Sequence, residues 1–277
     1  TDGTSSQWSP ALGKHLSVPD RTPRGGMAEG RMMTLAKDLS YKTLAQICDH
    51  FSLEEVQGEA GGSYLPLPCP IPGVPEGACR VFKSEKIPLL VYVGASLPMA
   101  GIDSHMIFAF TAEDSLIPHF TVDSIQMGEQ YAFHLDLIPR VDLGANLAYM
   151  NAAFEPLTGL FTEAVAIDGL SEAHISPRQR ALMSPWMLAF RADQCAFETV
   201  FGAVEQYCRY WAGLVDNGLD KAVVEATNTT DLAGRDQRNR AAIFNPEVDP
   251  VWEKMTPMIG VENCLRLQAL LKGETEI

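Results

Sequence analysis

The stretch Ile117 to Leu143, IPHFTVDSIQMGEQYAFHLDLIPRVDL, decides the fold. Two apolar-rich segments, Ile117 to Gln126 and Gln130 to Ile138, flank the connector Met127-Gly128-Glu129. β-Branched and aromatic residues on either side of a Gly-containing turn predict a β-hairpin. Alternate side chains of a strand share a face, so Asp123 points with His119, Thr121 and Ile125, away from Phe120, Val122 and Ser124. An acid therefore sits mid-strand, where Asp is disfavoured; if buried, it takes up a proton or finds a partner. An exposed acid on the polar face of an edge strand is the plainer alternative. The residues alone leave both open.

Upstream of the hairpin, Ala78 to Lys83, Ile87 to Ala95 and Ser104 to Thr111 read as further strands. Their short connectors predict antiparallel neighbours in a meander. Before them, the Gly61-Gly62 pair and five prolines between Glu59 and Glu76 mark a long loop. Leu35, Leu39, Leu44, Ile47 and Phe51 give Met32 to Ser52 the period of one or two amphipathic helices. Residues 1–30, rich in Ser, Gly and Pro, read as a flexible lead-in, and 31–277 as a single domain.

Downstream, the period becomes helical. Leu147, Met150, Phe154, Leu157 and Phe161 predict a helix over Asn146 to Ala164, with Asn146 as N-cap and an interruption at Pro156. Helices are expected in Ser176 to Leu182 and Ala196 to Val215, with a strand over Trp186 to Phe190 between them. A polar stretch, Thr227 to Arg240, precedes two C-terminal helices, Val251 to Met258 and Val261 to Lys272. Asp249, ahead of Pro250, suits a helix cap. Strands followed mainly by helices predict a central antiparallel sheet with helices on its faces.

Composition bounds the function. The chain has 277 residues, 46% of them hydrophobic and 20% charged, enough for a sizeable core. A formal net charge of −14 argues against a general nucleic-acid binder. Cys48, Cys69, Cys79, Cys195, Cys208 and Cys264 form no CxxC pair, and no histidine pair has metal-ligand spacing, so no metal site is expected. No apolar run is long enough to span a bilayer and no secretory signal is evident, which predicts a reducing, cytoplasmic compartment.

VDSIQ (122–126), HLDLIPRVDL (134–143) followed by Leu147-Ala148-Tyr149-Met150, Ser184-Pro185 before a strand bearing Arg191, and Asp249-Pro250 with Gly260 ten residues beyond Pro250 occur in this order. Together, over Ala78 to Lys272, they resemble red chlorophyll catabolite reductase and, more broadly, the ferredoxin-dependent bilin reductase superfamily. The resemblance implies an α/β fold, a three-layer α/β/α sandwich around a central antiparallel sheet. It implies a pocket between sheet and C-terminal helices for a linear tetrapyrrole, either a biliverdin-type bilin or a red chlorophyll catabolite. No flavin, nicotinamide or metal is implied; electrons come singly from reduced ferredoxin. A plant or alga would hold such a protein in the chloroplast stroma.

Residue by residue, the resemblance puts the sheet acid on Asp123, where the plant pattern has Glu, and the second acid on Asp249. Arg191 falls at a position suited to a substrate propionate, and Gln194 near one that influences product stereochemistry. His119, on the face of Asp123, and His134 are candidate substrate contacts, with a hydrogen-bonded structural role the alternative for each. Arg140 and Asp142 suggest a local salt bridge. Lys83, Lys86, Arg238 and Arg240 suggest a basic rim for acidic ferredoxin. Two acids suit the chemistry, because each two-electron reduction consumes two protons, and a carboxyl must be buried to hold a proton near pH 7. A smaller, unrelated substrate and a non-catalytic bilin-binding role remain alternatives.

Overall fold

Thr34 begins the first helix: its hydroxyl accepts from the Lys37 backbone N–H at 3.1 Å, capping α1 (Leu35–Phe51). The computed structural model describes residues 34–69, 71–275 and 277, so the lead-in expected over 1–30 lies outside the described residues. After α1 come β1 (Glu54–Val56) and β2 (Leu65–Leu67). The meander follows as β3 (Gly77–Lys83), β4 (Leu89–Leu97), β5 (Ile102–Phe110), β6 (His119–Met127) and β7 (Gln130–Ile138). The predicted long loop thus contains a strand. Pro66 fits it because β2 lies at the sheet edge, where a missing N–H costs no ladder bond.

The second half contains α2 (Leu147–Ala153), α3 (Thr158–Val165), β8 (Leu170–Glu172), α4 (Pro177–Arg180) and β9 (Leu188–Ala192). It ends with α5 (Gln194–Asn217), α6 (Lys221–Ala226), α7 (Leu232–Ile243), α8 (Val251–Ile259) and α9 (Val261–Lys272). Pro156 lies in a 3₁₀ turn that separates α2 from α3, the expected interruption. Asn146 precedes α2 without capping it; its amide donates to the Asp142 carbonyl at 2.9 Å. The polar stretch 227–240 is partly helical, which its composition conceals.

The strands form one sheet in the order β1-β3-β4-β5-β6-β7-β9-β8, with β2 beside β1 along the edge of β3. Every pairing is antiparallel. Met127 pairs with Gln130, so the hairpin turn is only Gly128-Glu129, and Gly128 takes φ 63°, a conformation glycine adopts without strain. Flanked by β5 and β7, β6 is interior, which removes the edge-strand reading of Asp123.

Strand alternation sorts the core into two layers. Phe120, Val122, Phe133 and Leu135 pack with residues of α1 and α5, including Ile47, Phe197, Val200 and Trp211. On the same face the Ser40 and Ser124 hydroxyls meet at 2.9 Å. Val91, Phe108, Phe110 and Ile138 face the other way, against Ile243, Trp252, Met255 and Leu267 of α7, α8 and α9. Each large apolar side chain so buried contributes roughly 1.5–3 kcal/mol. The expected three-layer α/β/α sandwich with a central antiparallel sheet is therefore observed.

Candidate active site

The face carrying His119, Thr121 and Asp123 lies under the C-terminal helices. Asp123 and His134 are direct register partners across β6 and β7, and the His134 Nδ1–H donates to Asp123 Oδ2 at 3.3 Å. Burial lowers the proton affinity of His134, but the hydrogen bond to Asp123 and the charges of Asp123, Asp136 and Asp249 outweigh it. The imidazole pKa consequently lies above its ordinary value.

Asp249 arrives from the segment before α8. Its Oδ1 accepts from the Val251 N–H at 3.0 Å, a local turn one residue ahead of the N-cap Pro250 and not the cap expected from the sequence, and lies 3.5 Å from Gln179 Nε2. Gln179 is set by a capping box on α4: its backbone N–H donates to Ser176 Oγ, and its side-chain oxygen accepts from the Ser176 N–H, both at 3.2 Å. Burial, reinforced by the charge of Asp123, pushes the Asp249 carboxyl up to about 6; the Val251 N–H and His134 oppose it. Asp249 thus shares an electrostatic site with Asp123 and His134, although 126 residues separate it from Asp123.

Among the described residues, five buried polar atoms on this side have no hydrogen-bond partner: Arg140 Nε, in the group around Asp236, and Thr121 Oγ1, Asp123 Oδ1, His134 Nε2 and Trp252 Nε1. Thr121 is two residues from Asp123 on the same strand face, and Trp252 lies on the first turn of α8, three residues after Asp249. Leaving such groups unsatisfied costs roughly 1–3 kcal/mol each, which water or a polar ligand reaching this face would recover. Thr121 and Trp252 escaped the sequence reading because a Thr in a strand and a Trp in an amphipathic helix both look like ordinary packing residues.

The other candidates are placed differently. His119 is 1% exposed; its Nδ1 accepts from the Thr111 N–H at 3.0 Å, and its Nε2–H donates to Asp236 Oδ1 at 2.7 Å. Both nitrogens are engaged within the protein. Arg140, also buried, pairs with Asp236 at 3.2 Å and not with Asp142, whose carboxylate accepts from the Gly144 N–H. Arg191 pairs with Ala132 in the register and so shares the face of His134, at the exposed end of the site. Gln194 opens α5, which packs on the opposite face, and its amide donates to Glu198 at 2.9 Å. It is not brought to Asp123.

The basic rim is also divided. Lys83 is exposed, Lys86 pairs with Asp216 at 2.5 Å, and Arg238 faces Asp231 at 3.4 Å. Arg240 is withdrawn into the protein: it donates to the Leu271 carbonyl at 2.7 Å and lies 3.9 Å from the centroid of the Phe110 ring. A cleft of about 500 Å³ opens between the 58–66 loop, β3 and α9, lined by Glu59, Tyr64, Glu76 and Arg266 among others. It lies three strands from β6, about 14 Å across the sheet, and includes neither Asp123 nor Asp249.

Among the described residues, no group of three or more His, Cys, Asp or Glu side chains is arranged to hold a metal ion. No helix among them is long and apolar enough to cross a membrane. No protein-family model matches the chain, and no curated protein does. Among solved structures, the chain is similar to selenomethionine phytochromobilin synthase from tomato in complex with biliverdin. The TM-score is 0.66 at 18% sequence identity, and the match covers 85% of this chain and 82% of the other. The chain has that protein's fold.

Proposed function

We propose that the chain is a ferredoxin-dependent, cofactor-free reductase of a linear tetrapyrrole, either a biliverdin-type bilin or a red chlorophyll catabolite, with carboxyl groups as proton donors. The observation that carries this reading is the Asp123–His134 pair beside Asp249, with Asp123 Oδ1 and His134 Nε2 left unpartnered. Motif order and a fold found in a biliverdin complex support it independently.

The chemistry fits two-electron, two-proton reduction. When His134 carries its second proton, its Nε2–H facing a lactam oxygen or pyrrole nitrogen lowers the energy of the electron-rich pigment as the first electron arrives. Asp249, which keeps its proton to about pH 6, holds a second proton within the same group of charges. Arg191, whose register with Ala132 puts it on the same face, would pair with a substrate propionate. Electrons arrive singly from reduced ferredoxin, so the bound pigment itself must close the site against water while the radical intermediate lasts.

Asp123→Asn tests the assignment. The variant is expected to bind bilin with nearly unchanged affinity while ferredoxin-driven turnover falls at least about 100-fold. Unchanged turnover would remove Asp123 from the chemistry. Equal loss of binding and turnover would make it a binding residue only.

A further inference from the structure

Asp136 belongs to no role assigned so far, yet it is 0% exposed and shares the face of His134, two residues along β7. Its carboxylate is fixed by one residue: the Ser184 N–H donates to Oδ2 at 2.9 Å and the Ser184 hydroxyl donates to Oδ1 at 2.5 Å. The Trp186 N–H donates to Ser184 Oγ at 3.1 Å, which directs the serine hydrogen toward Asp136. Across the ladder Asp136 faces Thr121, whose hydroxyl has no partner. The His-Leu-Asp and Ser-Pro motifs, 48 residues apart, thus meet in one contact.

A buried carboxylate could serve only to tie the 182–187 loop to β7. Geometry says more, because His134 Nδ1 is already held by Asp123 while Nε2 is unpartnered and buried. An imidazole with both nitrogens protonated in such a place needs compensating negative charge that does not itself leave with the substrate. We infer that Asp136, seated by Ser184, is a positioning residue whose fixed charge keeps the His134 imidazole doubly protonated and its Nε2–H directed at the substrate.

Burial pushes the Asp136 carboxyl up to about 6, against the opposing pull of His134 and Ser184, so it is predominantly ionised at pH 7. The charged groups around His134 are Asp123 from β6, Asp136 on its own strand, Arg191 from β9 and Asp249 ahead of α8, with Lys254 beside Asp249. Of these carboxylates Asp136 is the most deeply buried, hence the least screened by solvent.

This inference rests on the proposed bilin site, but its first test needs no pigment. The His134 ring titration is followed by NMR in the ligand-free protein. Asp136→Asn retains the volume and can keep the tie to Ser184, its amide oxygen accepting the Ser184 N–H and its amide N–H donating to Ser184 Oγ, while removing the charge, and is expected to lower the His134 midpoint by about one pH unit. An unchanged midpoint overturns the inference and leaves Asp136 as a loop tie. Ser184→Ala removes the hydroxyl that favours the Asp136 anion and should shift the midpoint in the same direction by a smaller amount; no shift there counts equally against it, should the Asn variant fail to fold. With bilin and ferredoxin, Asp136→Asn should lower kcat at least about 10-fold with KM little changed. A midpoint shift without a fall in kcat overturns the catalytic consequence, whereas a wild-type protein that binds no bilin overturns the site reading and leaves the titration result standing.

Discussion

His119 illustrates how one residue's surroundings decide its chemistry. Its Nδ1 accepts a backbone N–H, so the ring's own proton is on Nε2, donated to Asp236. Burial, helped by Arg140 and Arg240, holds its pKa down to about 4 against the pull of Asp236. The folded-state value lies below the unfolded value, so the neutral ring's contribution is fully present above about pH 6.5 and is lost as the pH falls through 4. Wild type should therefore lose about 3 kcal/mol more than His119→Gln between pH 6.5 and 4 in urea unfolding. Parallel stability curves for the two proteins would contradict a neutral buried His119. The face of His119 was legible from strand alternation; its partner was not, because Asp236 is 117 residues away in a stretch with no apolar period. Asp123 stood out because an acid in a strand is anomalous; Asp249, read from its own neighbours, suggested only a helix cap and entered the candidate site through the resemblance, and its Oδ1 turns back to the Val251 N–H ahead of the N-cap Pro250.

At the scale of the element, α7 explains what the sequence concealed. Helices α5, α8 and α9 show apolar residues at helical spacing and were expected nearly where they lie. Helix α7 instead turns Asp236, Arg240 and Ile243 inward, at spacings of four and three, so its buried stripe is largely ionic. Hydrophobic periodicity passes over such a helix. The same arrangement tethers it: Asp236 meets His119, Arg140 and Arg240, three cationic or donor groups on the sheet face or on α7 itself. Asp236→Ala leaves two buried guanidinium groups without their carboxylate and should cost about 3–5 kcal/mol, read from the shift of the denaturant midpoint. A cost below about 1 kcal/mol would show that the network adds nothing to holding α7 in place. The hairpin shows the converse case, where local chemistry sufficed: Gly128 supplies the positive φ and its flanking strands alternate as their residues require.

Across the whole molecule, element order carried more than any motif. A meander of strands followed mainly by helices implies helices on both faces of an antiparallel sheet, and the two packed core layers realise it. The site emerges only when those layers close, because β6, β7, the loop before β9 and the start of α8 contribute residues far apart in the chain, Asp123 and Asp249 by 126 positions. Asp136 and Ser184 were quoted within motifs, but their contact depends on that closure. At this scale the proposed function is reduction of a linear tetrapyrrole by electrons from ferredoxin. Anaerobic absorption spectroscopy of the purified protein with biliverdin, and in parallel with a red chlorophyll catabolite, under a ferredoxin-regenerating system tests it most directly. Loss or shift of the long-wavelength band of one pigment, requiring both protein and ferredoxin, is the expected result. A spectral shift on mixing with no further change when ferredoxin is reduced, or no change with either pigment, would contradict it.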